Sequence, residues 1–458
     1  MTQPNNFFVD IYGNSTKNGI AIASDGTLKF VTQDINGNQT LQIPAPSNAI
    51  APGSLQVINS AKQILAAARS PTPDTNATVV PTVTIGTSNA NSTIITTATV
   101  NSPTITLADT RIRPVSGLYS TNVGGYYQMY SARTSEAWPN RSPCIGSGFK
   151  FTTDSPSFDF TAQANADGSY AFSIWVRQPG DPYPLRVTDA NTVNGDYPMT
   201  TGGVNQYIKV DFGSSCPMGR EIEIRGNSNF ATKGINVQPL YSIWKTKSNK
   251  PRILFLGDSF TTGLLSLNTV SSYAHRAAQL LGCEAIPSGL SSTGYIAAGS
   301  RVNLGNRLPD VTAFGTVDAI YIAMGVNDYA QNFTILRQVV TADLLAISAL
   351  APNTPIIVQN AWYSVAQKPT TGASNAILGG FNDAIAAGLQ NAFFVDNIAE
   401  NWVTGTGHYG GTTGDGNADF YVGTDGLHPT LALNAGHDFL GSHVATAISQ
   451  VLSANYVV

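Results

Sequence analysis

Apolar and polar residues alternate with a period of two through the middle of the chain, which is the pattern of half-buried β-strands. Turn residues such as Asp167-Gly168 separate the alternating runs, and short strands joined by tight turns predict a β-sandwich or jelly roll. We therefore assign residues 113–248 to a β-sandwich domain. Its clearest predicted strands are Phe158–Ala162, Ala171–Val176, Tyr207–Val210 and Glu221–Arg225.

From residue 249 the pattern changes to apolar runs that alternate with segments of helical periodicity. Strand–helix alternation predicts a parallel sheet with helices on both faces, so we assign residues 249–458 to one α/β domain. The predicted strands are 252–256, 283–286, 318–323, 355–359 and 392–395. The predicted helices are 267–281, 331–350, 374–389 and 430–452.

The first 70 residues combine short β-like runs with one predicted helix, and we assign residues 1–70 to an N-terminal β-rich segment. Ser54 is a suitable N-cap for this helix, and Pro71 stops it. The apolar stripe of the helix predicts a surface for packing or for contact between subunits. The stripe consists of Leu55, Ile58, Leu65 and Ala68.

Residues 71–112 alternate β-branched residues with threonine and carry almost no charge, as in Val79–Ile85 and Ser92–Val100. This segment contains too little sequence to enclose a hydrophobic core by itself. Two interpretations remain open: an extended linker, or strands that pair with other copies of the chain in a symmetric oligomer. The second interpretation gives a specific expectation, a homotrimer held together mainly by roughly the first 110 residues.

Only 11% of the 458 residues are charged, and the formal net charge is −4. This balance gives no electrostatic basis for nucleic acid or an anionic membrane as a partner. No apolar run reaches the ~20 residues that span a bilayer, and the N-terminus lacks the features of a signal peptide. Because Cys144, Cys216 and Cys283 form no CxxC pair and no even-numbered framework, we expect neither a disulfide scaffold nor a metal site.

The strongest chemical signal follows the apolar run Ile253–Leu256, where the chain continues as Gly257-Asp258-Ser259. A serine directly after a buried strand stands at the carboxyl end of the sheet, where α/β sheets bind ligands. If a helix begins there, the N–H of Ser259 is unpaired and can meet a developing negative charge. Ser259 is therefore the candidate nucleophile.

The segment Asp425-Gly426-Leu427-His428 supplies the two other groups that serine catalysis needs. A neutral histidine can take the proton of a serine hydroxyl, which makes His428 the candidate base. Asp425 lies three residues earlier, on the same side of a helical turn, where its carboxylate can hold the histidine in one tautomer.

Two further loops follow predicted strands and can reach the same edge of the sheet. They are Ser288–Tyr295 and Gly325–Asp328. The amides of Ser259 and Gly294 and the carboxamide of Asn327 are the candidate donors to the oxyanion of a tetrahedral intermediate.

Together these segments resemble the SGNH (GDSL-type) hydrolase family. Its blocks I, II, III and V correspond, in this order within roughly the last 210 residues, to Gly257–Ser259, the Gly294 loop, Gly325–Asp328 and Asp425–His428. The resemblance implies a three-layer α/β/α fold with a five-stranded parallel sheet, and esterase or deacetylase activity without a cofactor. It gives Ser259, His428 and Asp425 the roles of nucleophile, base and partner of the base, and Ser259, Gly294 and Asn327 those of oxyanion donors.

One position departs from the pattern of the family, and one block offers two candidate glycines. Phe260 stands where a leucine often follows the serine, which matters little. Gly289 is an alternative to Gly294 in block II, and the Thr-Gly-Tyr context favours Gly294.

The Gly-rich loop from Gly405 to Gly416 leads toward His428 and adds candidate substrate contacts. Aromatic faces suit sugar rings, and a place in the core is the alternative for each aromatic residue. The candidates for a substrate groove are Trp362, Tyr363, Trp402, His408, Tyr409 and Tyr421. Three other histidines lie in helical patterns and are expected to be structural: His275, His437 and His443.

The sequence therefore predicts a serine esterase that removes acyl groups, with O-acetyl groups of a polysaccharide as the expected substrate. The adjoining β-sandwich and the uncharged, Asn- and Thr-rich composition favour a glycan. By composition alone, the N-terminal part resembles segments of phage tail fibres or tailspikes, so a virion tail is the expected location, with export by an unrecognised route as the alternative. The alternatives are a lipase or thioesterase of the same fold, and a receptor-binding tail protein with an inactive hydrolase domain.

Overall fold

The computed structural model describes four strands before residue 54 and then residues 54–456, with gaps at 70, 72–75, 78, 87–108, 122–125, 131–144, 164–169, 200–203, 228–229, 249 and 365–369. The chain forms two units, residues 1–56 and residues 57–458. The predicted strand Ser92–Val100, Cys144 and the turn Asp167-Gly168 lie outside the described residues.

The first unit contains one antiparallel sheet with the strand order β1-β2-β3-β4. The central pair runs in register from Lys17 opposite Gln33 to Ile22 opposite Leu28. The first three of these strands overlap the β-like runs of the sequence, and the fourth was not predicted. Their bounds are β1 Phe7–Phe8, β2 Lys17–Ile22, β3 Leu28–Gln33 and β4 Gln39–Leu41.

The second unit contains a β-sandwich, as predicted. One sheet has the order β5-β14-β10-β16-β8-β7; the other has β12-β11-β15-β9-β17, with β13 paired to β11 and β6 to β9. The bounds are β5 Thr82–Gly86, β6 Arg113–Val115, β7 Leu118–Thr121, β8 Tyr127–Tyr130, β9 Gly148–Thr153, β10 Ser157–Gln163, β11 Tyr170–Arg177, β12 Leu185–Arg186, β13 Tyr197–Met199, β14 Asn205–Asp211, β15 Arg220–Gly226, β16 Ala231–Val237 and β17 Ile243–Trp244.

The inward residues of the two sheets form one aromatic-rich core. Phe158 and Phe160 of β10 meet Phe149 and Phe151 of β9 across the sandwich, with edge-on ring pairs 5.3–6.4 Å apart. Inward side chains lie at every second position because the side-chain period of a strand is two. The alternation that predicts the strands therefore also supplies the core.

Strand β5 corrects the interpretation of residues 71–112. It pairs with β14, with Val83 opposite Val210, and Val83 lies in the sandwich core. Residues Thr82–Ile85 are therefore neither a linker nor an intersubunit strand in this structure, and the prediction for Ser92–Val100 falls outside the described residues. The partner of this strand, β14, lies about 125 residues later in the same chain.

A parallel sheet follows the sandwich, with the order β19-β18-β20-β21-β22. Ile253 and Phe255 of β18 face one core, while Leu254 and Leu256 face the other, so helices cover both faces as predicted. The strands are β18 Arg252–Gly257, β19 Glu284–Gly289, β20 Ala319–Ala323, β21 Ile356–Gln359 and β22 Ala392–Val395. This order reverses direction at β18, and a switch point of this kind places a ligand site outside the carboxyl end of that strand.

The helices divide between the two faces of the sheet. Their bounds are α1 Ser54–Ala68, α2 Ser259–Thr262, α3 Tyr273–Leu280, α4 Asp310–Ala313, α5 Phe333–Leu350, α6 Thr371–Ala386, α7 Ala418–Tyr421 and α8 Ala435–Asn455. Helices α1, α3 and α8 contribute to one core, and α5 and α6 contribute to the other. Short 3₁₀ turns occupy Leu304–Arg307, Val326–Asp328 and Ala432–Asn434.

Among the described helices, only α5 is long and apolar enough to cross a membrane by length and composition. One such helix is weak support for a membrane span, because core helices pass the same test. Its buried side chains, among them Leu336, Val340 and Leu344, belong to the core beside the sheet, and Arg337 on its outer side pairs with Asp383 of α6.

Helix α1 packs on the parallel sheet although about 180 residues separate it from β18 in sequence. Val57, Ala61 and Ile64 are fully buried, and the last two belong to the same core as Ile253. The expected stripe is therefore shifted, because Ile58 and Leu65 are only half-buried. The packing role is confirmed, because the buried face of the helix packs against the core of its own chain.

Ion pairs join the sandwich to the amino end of the parallel sheet. The buried Glu284 pairs with Arg113 at 3.0 Å and with Lys150 at 3.9 Å. Burial alone raises the pKa of Glu284, but Lys150, Arg113 and Arg252 outweigh it, so the pKa lies below its ordinary value. The carboxylate is therefore charged at neutral pH and holds the two domains together.

Candidate active site

The turn between β18 and α2 positions Ser259. Asp258 caps the short helix by accepting a hydrogen bond from the N–H of Phe260 at 3.0 Å. Gly263 ends it in the left-handed conformation at φ 83°. A Cβ on Gly257 would lie 1.9 Å from Oγ1 of Thr261, so only glycine allows the turn to close this tightly.

Ser259, His428 and Asp425 form one chain of hydrogen bonds at the carboxyl end of β18. The Oγ of Ser259 lies 2.7 Å from Nε2 of His428. The Nδ1 of His428 lies 2.5 Å from Oδ2 of Asp425. An ionised carboxylate can only accept, so the proton of a neutral His428 sits on Nδ1 and leaves Nε2 free to accept the serine proton.

A short hairpin fixes the geometry of Asp425 and His428. Val422 and Pro429 form an antiparallel bridge, and the N–H of Gly423 donates to the carbonyl of His428 at 2.7 Å. Oδ1 of Asp425 accepts the N–H of His428 at 2.9 Å. Burial raises the pKa of Asp425, but the hydrogen bonds from His428 and from the backbone outweigh it, so the pKa lies below its ordinary value.

Aromatic rings fill the space behind the histidine. Phe260 lies 5.4 Å from the His428 ring and stacks on Trp362 with centroids 5.0 Å apart. Trp362 is 1% exposed and also contacts Tyr273 edge-on. The prediction that Trp362 lines a substrate groove is therefore wrong: its indole lies in the core and supports the nucleophile turn from behind.

His437 ties three elements together behind the site. Its Nδ1 accepts the N–H of Tyr273 at 3.1 Å, and its Nε2 donates to the carbonyl of Leu264 at 2.9 Å. Burial lowers the pKa of His437 to about 4, so the ring is neutral at neutral pH. Leu264 in turn donates its N–H to the carbonyl of Ser259, so the structural role expected for His437 serves the nucleophile turn.

The structure contradicts Gly294 as an oxyanion donor. Its N–H donates to the carbonyl of Ala297 at 2.7 Å and is therefore already taken. The glycine is needed for another reason, because a Cβ there would lie 2.2 Å from Oδ2 of Asp328. The alternative, Gly289, ends β19, and a Cβ there would lie 2.3 Å from the backbone nitrogen of Thr262. Both glycines allow close backbone packing.

Asn327 does lie at this loop. Its Nδ2 donates to the carbonyl of Thr293 at 2.9 Å. Ser292, directly before, adopts a φ of 64°. Within the part of the chain that the structure describes, the backbone N–H groups of Ser291, Ser292 and Thr293 have no recorded hydrogen-bond partner. This turn thus presents unpaired donors beside Asn327.

The carboxylate of Asp328 organises the loop that carries these donors. It accepts the N–H groups of Tyr295, Ile296 and Ala297 at 2.7–3.0 Å. Burial raises the pKa of Asp328 and the three backbone bonds act against this, with burial the stronger effect. Asp328 belongs to the predicted block III, but sequence alone assigns it no role.

The other predicted groove residues divide into packed and exposed ones. Trp402 is 3% exposed, stacks on His443 and donates Nε1–H to Glu400 at 2.7 Å, so its prediction as a groove residue is wrong. Tyr421 is half-buried and stacks on Phe439 with centroids 3.8 Å apart. Two residues remain near the surface of the Gly-rich loop: His408, half-buried, and Tyr409, 46% exposed.

Tyr363 holds the Gly-rich loop in place. Its hydroxyl donates to the carbonyl of Gly405. Burial, followed by the charge of Asp415, raises the pKa of Tyr363, so the hydroxyl keeps the proton it donates. This contact is with the protein backbone, and the structure gives Tyr363 a role in loop placement.

A cavity of about 590 Å³ lies elsewhere, between the sandwich and the hydrolase domain. Trp175, Arg177 and Glu223 line it from the sandwich, and His275 and Glu284 line it from the other side. No predicted catalytic residue reaches it. Among the described residues there is no group of three or more His, Cys, Asp or Glu side chains that could hold a metal ion.

The three-layer fold, with a serine–histidine–carboxylate chain at the carboxyl edge of its sheet, is that of an ester hydrolase. Residues 255–435 match the sequence profile of the GDSL-like Lipase/Acylhydrolase family and form a domain of that family. Among curated protein sequences, none matches the chain.

Solved structures share the fold at low sequence identity. One is the salicylyl-acyltransferase SsfX3 from a tetracycline biosynthetic pathway, with 14% identity and a TM-score of 0.51 over 78% of this chain and 98% of that one. Another is an active-site mutant of a family two carbohydrate esterase from Clostridium thermocellum, with 14% identity and a TM-score of 0.51 over 75% and 98%. Because residues 249–458 are less than half of the chain, this likeness extends into the residues before 249.

Proposed function

We propose that the protein is a serine esterase that removes O-acetyl groups from a polysaccharide. The observation that carries this proposal is the hydrogen-bonded chain Ser259–His428–Asp425, with distances of 2.7 and 2.5 Å. Serine hydroxyls are weak nucleophiles, and a base at hydrogen-bond distance with a carboxylate behind it is the arrangement that activates them.

In this mechanism His428 Nε2 takes the proton of Ser259 Oγ as the oxygen attacks the carbonyl carbon of the ester. Asp425 stays ionised and stabilises the imidazolium that forms, in keeping with its lowered pKa. His428 then gives its proton to the departing sugar oxygen, which leaves an acetyl group on Ser259. A water molecule, deprotonated by His428, releases acetate and restores the serine.

The oxyanion of each tetrahedral intermediate needs hydrogen-bond donors fixed before the reaction. We assign this role to the N–H of Ser259 at the start of α2, to the carboxamide of Asn327 and to a backbone N–H of the turn Ser291–Thr293. The last replaces Gly294, whose N–H is engaged with Ala297.

Two observations favour a small acyl group on a glycan as the substrate of the proposed esterase. Phe260 and Trp362 fill the core side of the triad, so a long acyl chain has no room there. Tyr409 exposes its ring beside the hairpin of His428, since its N–H donates to the carbonyl of Val422 at 2.9 Å, and an exposed aromatic face suits a sugar ring. The fold shared with a carbohydrate esterase agrees with this substrate class.

The test is acetate release from a panel of acetylated polysaccharides, with p-nitrophenyl acetate as a model substrate. We expect Ser259→Ala to lower the rate by at least about 1,000-fold, while Ser442→Ala, an exposed serine on α8, leaves it unchanged. EDTA is expected to have no effect. Substantial activity in Ser259→Ala contradicts the mechanism.

The same assay distinguishes the alternatives. Preference for long-chain over acetyl esters indicates a lipase or thioesterase, and glycan binding without acetate release indicates a receptor-binding protein. The composition of the N-terminal part supports, as a further part of the proposal, a place in a phage tail as a homotrimer.

A further inference from the structure

Arg307 is completely buried directly beneath the nucleophile turn. Its side chain and that of its ion-pair partner Asp310 are both 0% exposed, and Nε of the arginine lies 3.4 Å from Oδ2 of the aspartate. Arginine is almost never fully buried unless it is paired.

The guanidinium joins the carboxyl ends of two strands. Nη1 donates to the carbonyl of Gly257, the last residue of β18, at 2.9 Å. Nη2 donates to the carbonyl of Ser288 in β19 and, at 2.9 Å, to the hydroxyl of the same serine. Ser288 Oγ donates in turn to Asp310 at 2.7 Å. All five groups are thus members of one network.

The ends of these two strands pack directly against the turn that carries the nucleophile. The carbonyl of Gly257 belongs to the peptide that leads into Asp258 and Ser259. Gly289, directly after Ser288, packs so closely against the backbone of α2 that a Cβ there would lie 2.3 Å from the nitrogen of Thr262. A rotation of either strand end therefore moves the hydroxyl and the N–H of Ser259 together.

We infer that Arg307 is a positioning residue for the esterase reaction, which fixes Ser259 relative to His428 and to the oxyanion donors; this inference rests on the proposed function. The planar fork of arginine carries its donors on three separate nitrogens and can span two carbonyls and a carboxylate, whereas the three donors of lysine share one nitrogen. Buried ion pairs are often replaceable by apolar residues without loss of stability, so stability alone does not account for the pair.

The test is a comparison of Arg307→Lys with wild type on p-nitrophenyl acetate. Lysine keeps the charge opposite Asp310 but loses the fork. A displacement of reacting groups by about 1 Å costs on the order of 100-fold, so we expect kcat to fall by about 10- to 100-fold with KM within about twofold. The rate at which a fluorophosphonate labels Ser259 is expected to fall in parallel.

Arg113→Lys is the matched control. It alters the ion pair of the half-buried Arg113 with the buried Glu284, at the amino end of the sheet. We expect a similar change in Tm but wild-type kcat. Wild-type kcat in Arg307→Lys overturns the inference, as does a loss of kcat in Arg113→Lys that matches its loss of stability.

A second variant covers the case in which Arg307→Lys does not fold. Arg307→Met combined with Asp310→Leu removes the pair without leaving a buried charge, and it is expected to fold and to show the same selective loss of kcat. A folded double variant with wild-type kcat overturns the inference. If the wild-type protein neither hydrolyses esters nor reacts with the fluorophosphonate at Ser259, the proposed function fails instead.

Discussion

Asp343 on α5 carries a stability prediction whose size follows from the structure. The residue is 7% exposed, and its Oδ2 has no hydrogen-bond partner within the described part of the chain. Burial, followed by the negative charge of Asp328, raises the pKa of Asp343 from 3.8 to about 7. The folded protein therefore holds a proton that the unfolded chain releases, and its stability falls as pH rises through this range.

The magnitude follows from about 1.4 kcal/mol for each pKa unit. The rise from 3.8 to about 7 makes the folded state less stable at pH 8 than in acid by on the order of 4 kcal/mol. Of this, between about 2 and 3 kcal/mol develops between pH 5 and pH 8. Asparagine carries no charge at any pH, so Asp343→Asn removes this dependence.

Urea unfolding at pH 5 and pH 8 measures the effect. We expect the loss of unfolding free energy between the two pH values to be smaller in Asp343→Asn than in wild type by about 2–3 kcal/mol. Because each variant is compared with itself, the cost of burying the amide cancels. Asp415→Asn, at an exposed aspartate, is the control and should behave as wild type. An unchanged pH dependence in Asp343→Asn refutes the reasoning.

Three further outcomes are expected. Asn327→Ala should lower kcat by roughly 100- to 1,000-fold with little change in KM, because the bond strengthens in the transition state; a change in KM alone would place Asn327 in substrate binding. Tyr409→Ala should raise KM for the polysaccharide but not for p-nitrophenyl acetate, and equal effects on both would remove Tyr409 from the glycan site. Light scattering should give the mass of three chains, and a monomeric mass ends the trimer proposal.

Most of the fold could be predicted because its signals are local. The parallel strands are apolar runs bounded by Gly, Pro or charged residues, and Ile253–Leu256 falls within β18 at Arg252–Gly257. The hydrogen-bonded chain of Ser259, His428 and Asp425 could be predicted for a related reason. Parallel strand ends meet at one edge, so residues far apart in sequence converge once the strand order is known.

The errors concern features that depend on contacts across the fold. Trp362 and Trp402 lie in loops, and nothing in a loop sequence says whether an aromatic ring faces the core. Gly294 is the wrong donor because its own N–H bonds to the carbonyl of Ala297, in a loop that folds back on itself around Asp328. Arg307 gives no sequence signal, since arginine is usually a surface residue.

Helix α1 has a consequence for the order in which this chain can fold during synthesis. It leaves the ribosome about 180 residues before β18, the strand whose core it helps to complete. Chains are synthesised at about 5–20 residues per second. The apolar face of the helix, formed by Val57, Ala61 and Ile64, therefore lacks that strand for roughly 10–40 s. A chain cut to begin at residue 113 would never receive this cover. The sheet of the esterase domain would then expose apolar residues that the helix normally covers. A chain expressed to study the catalytic part therefore needs to begin before Ser54.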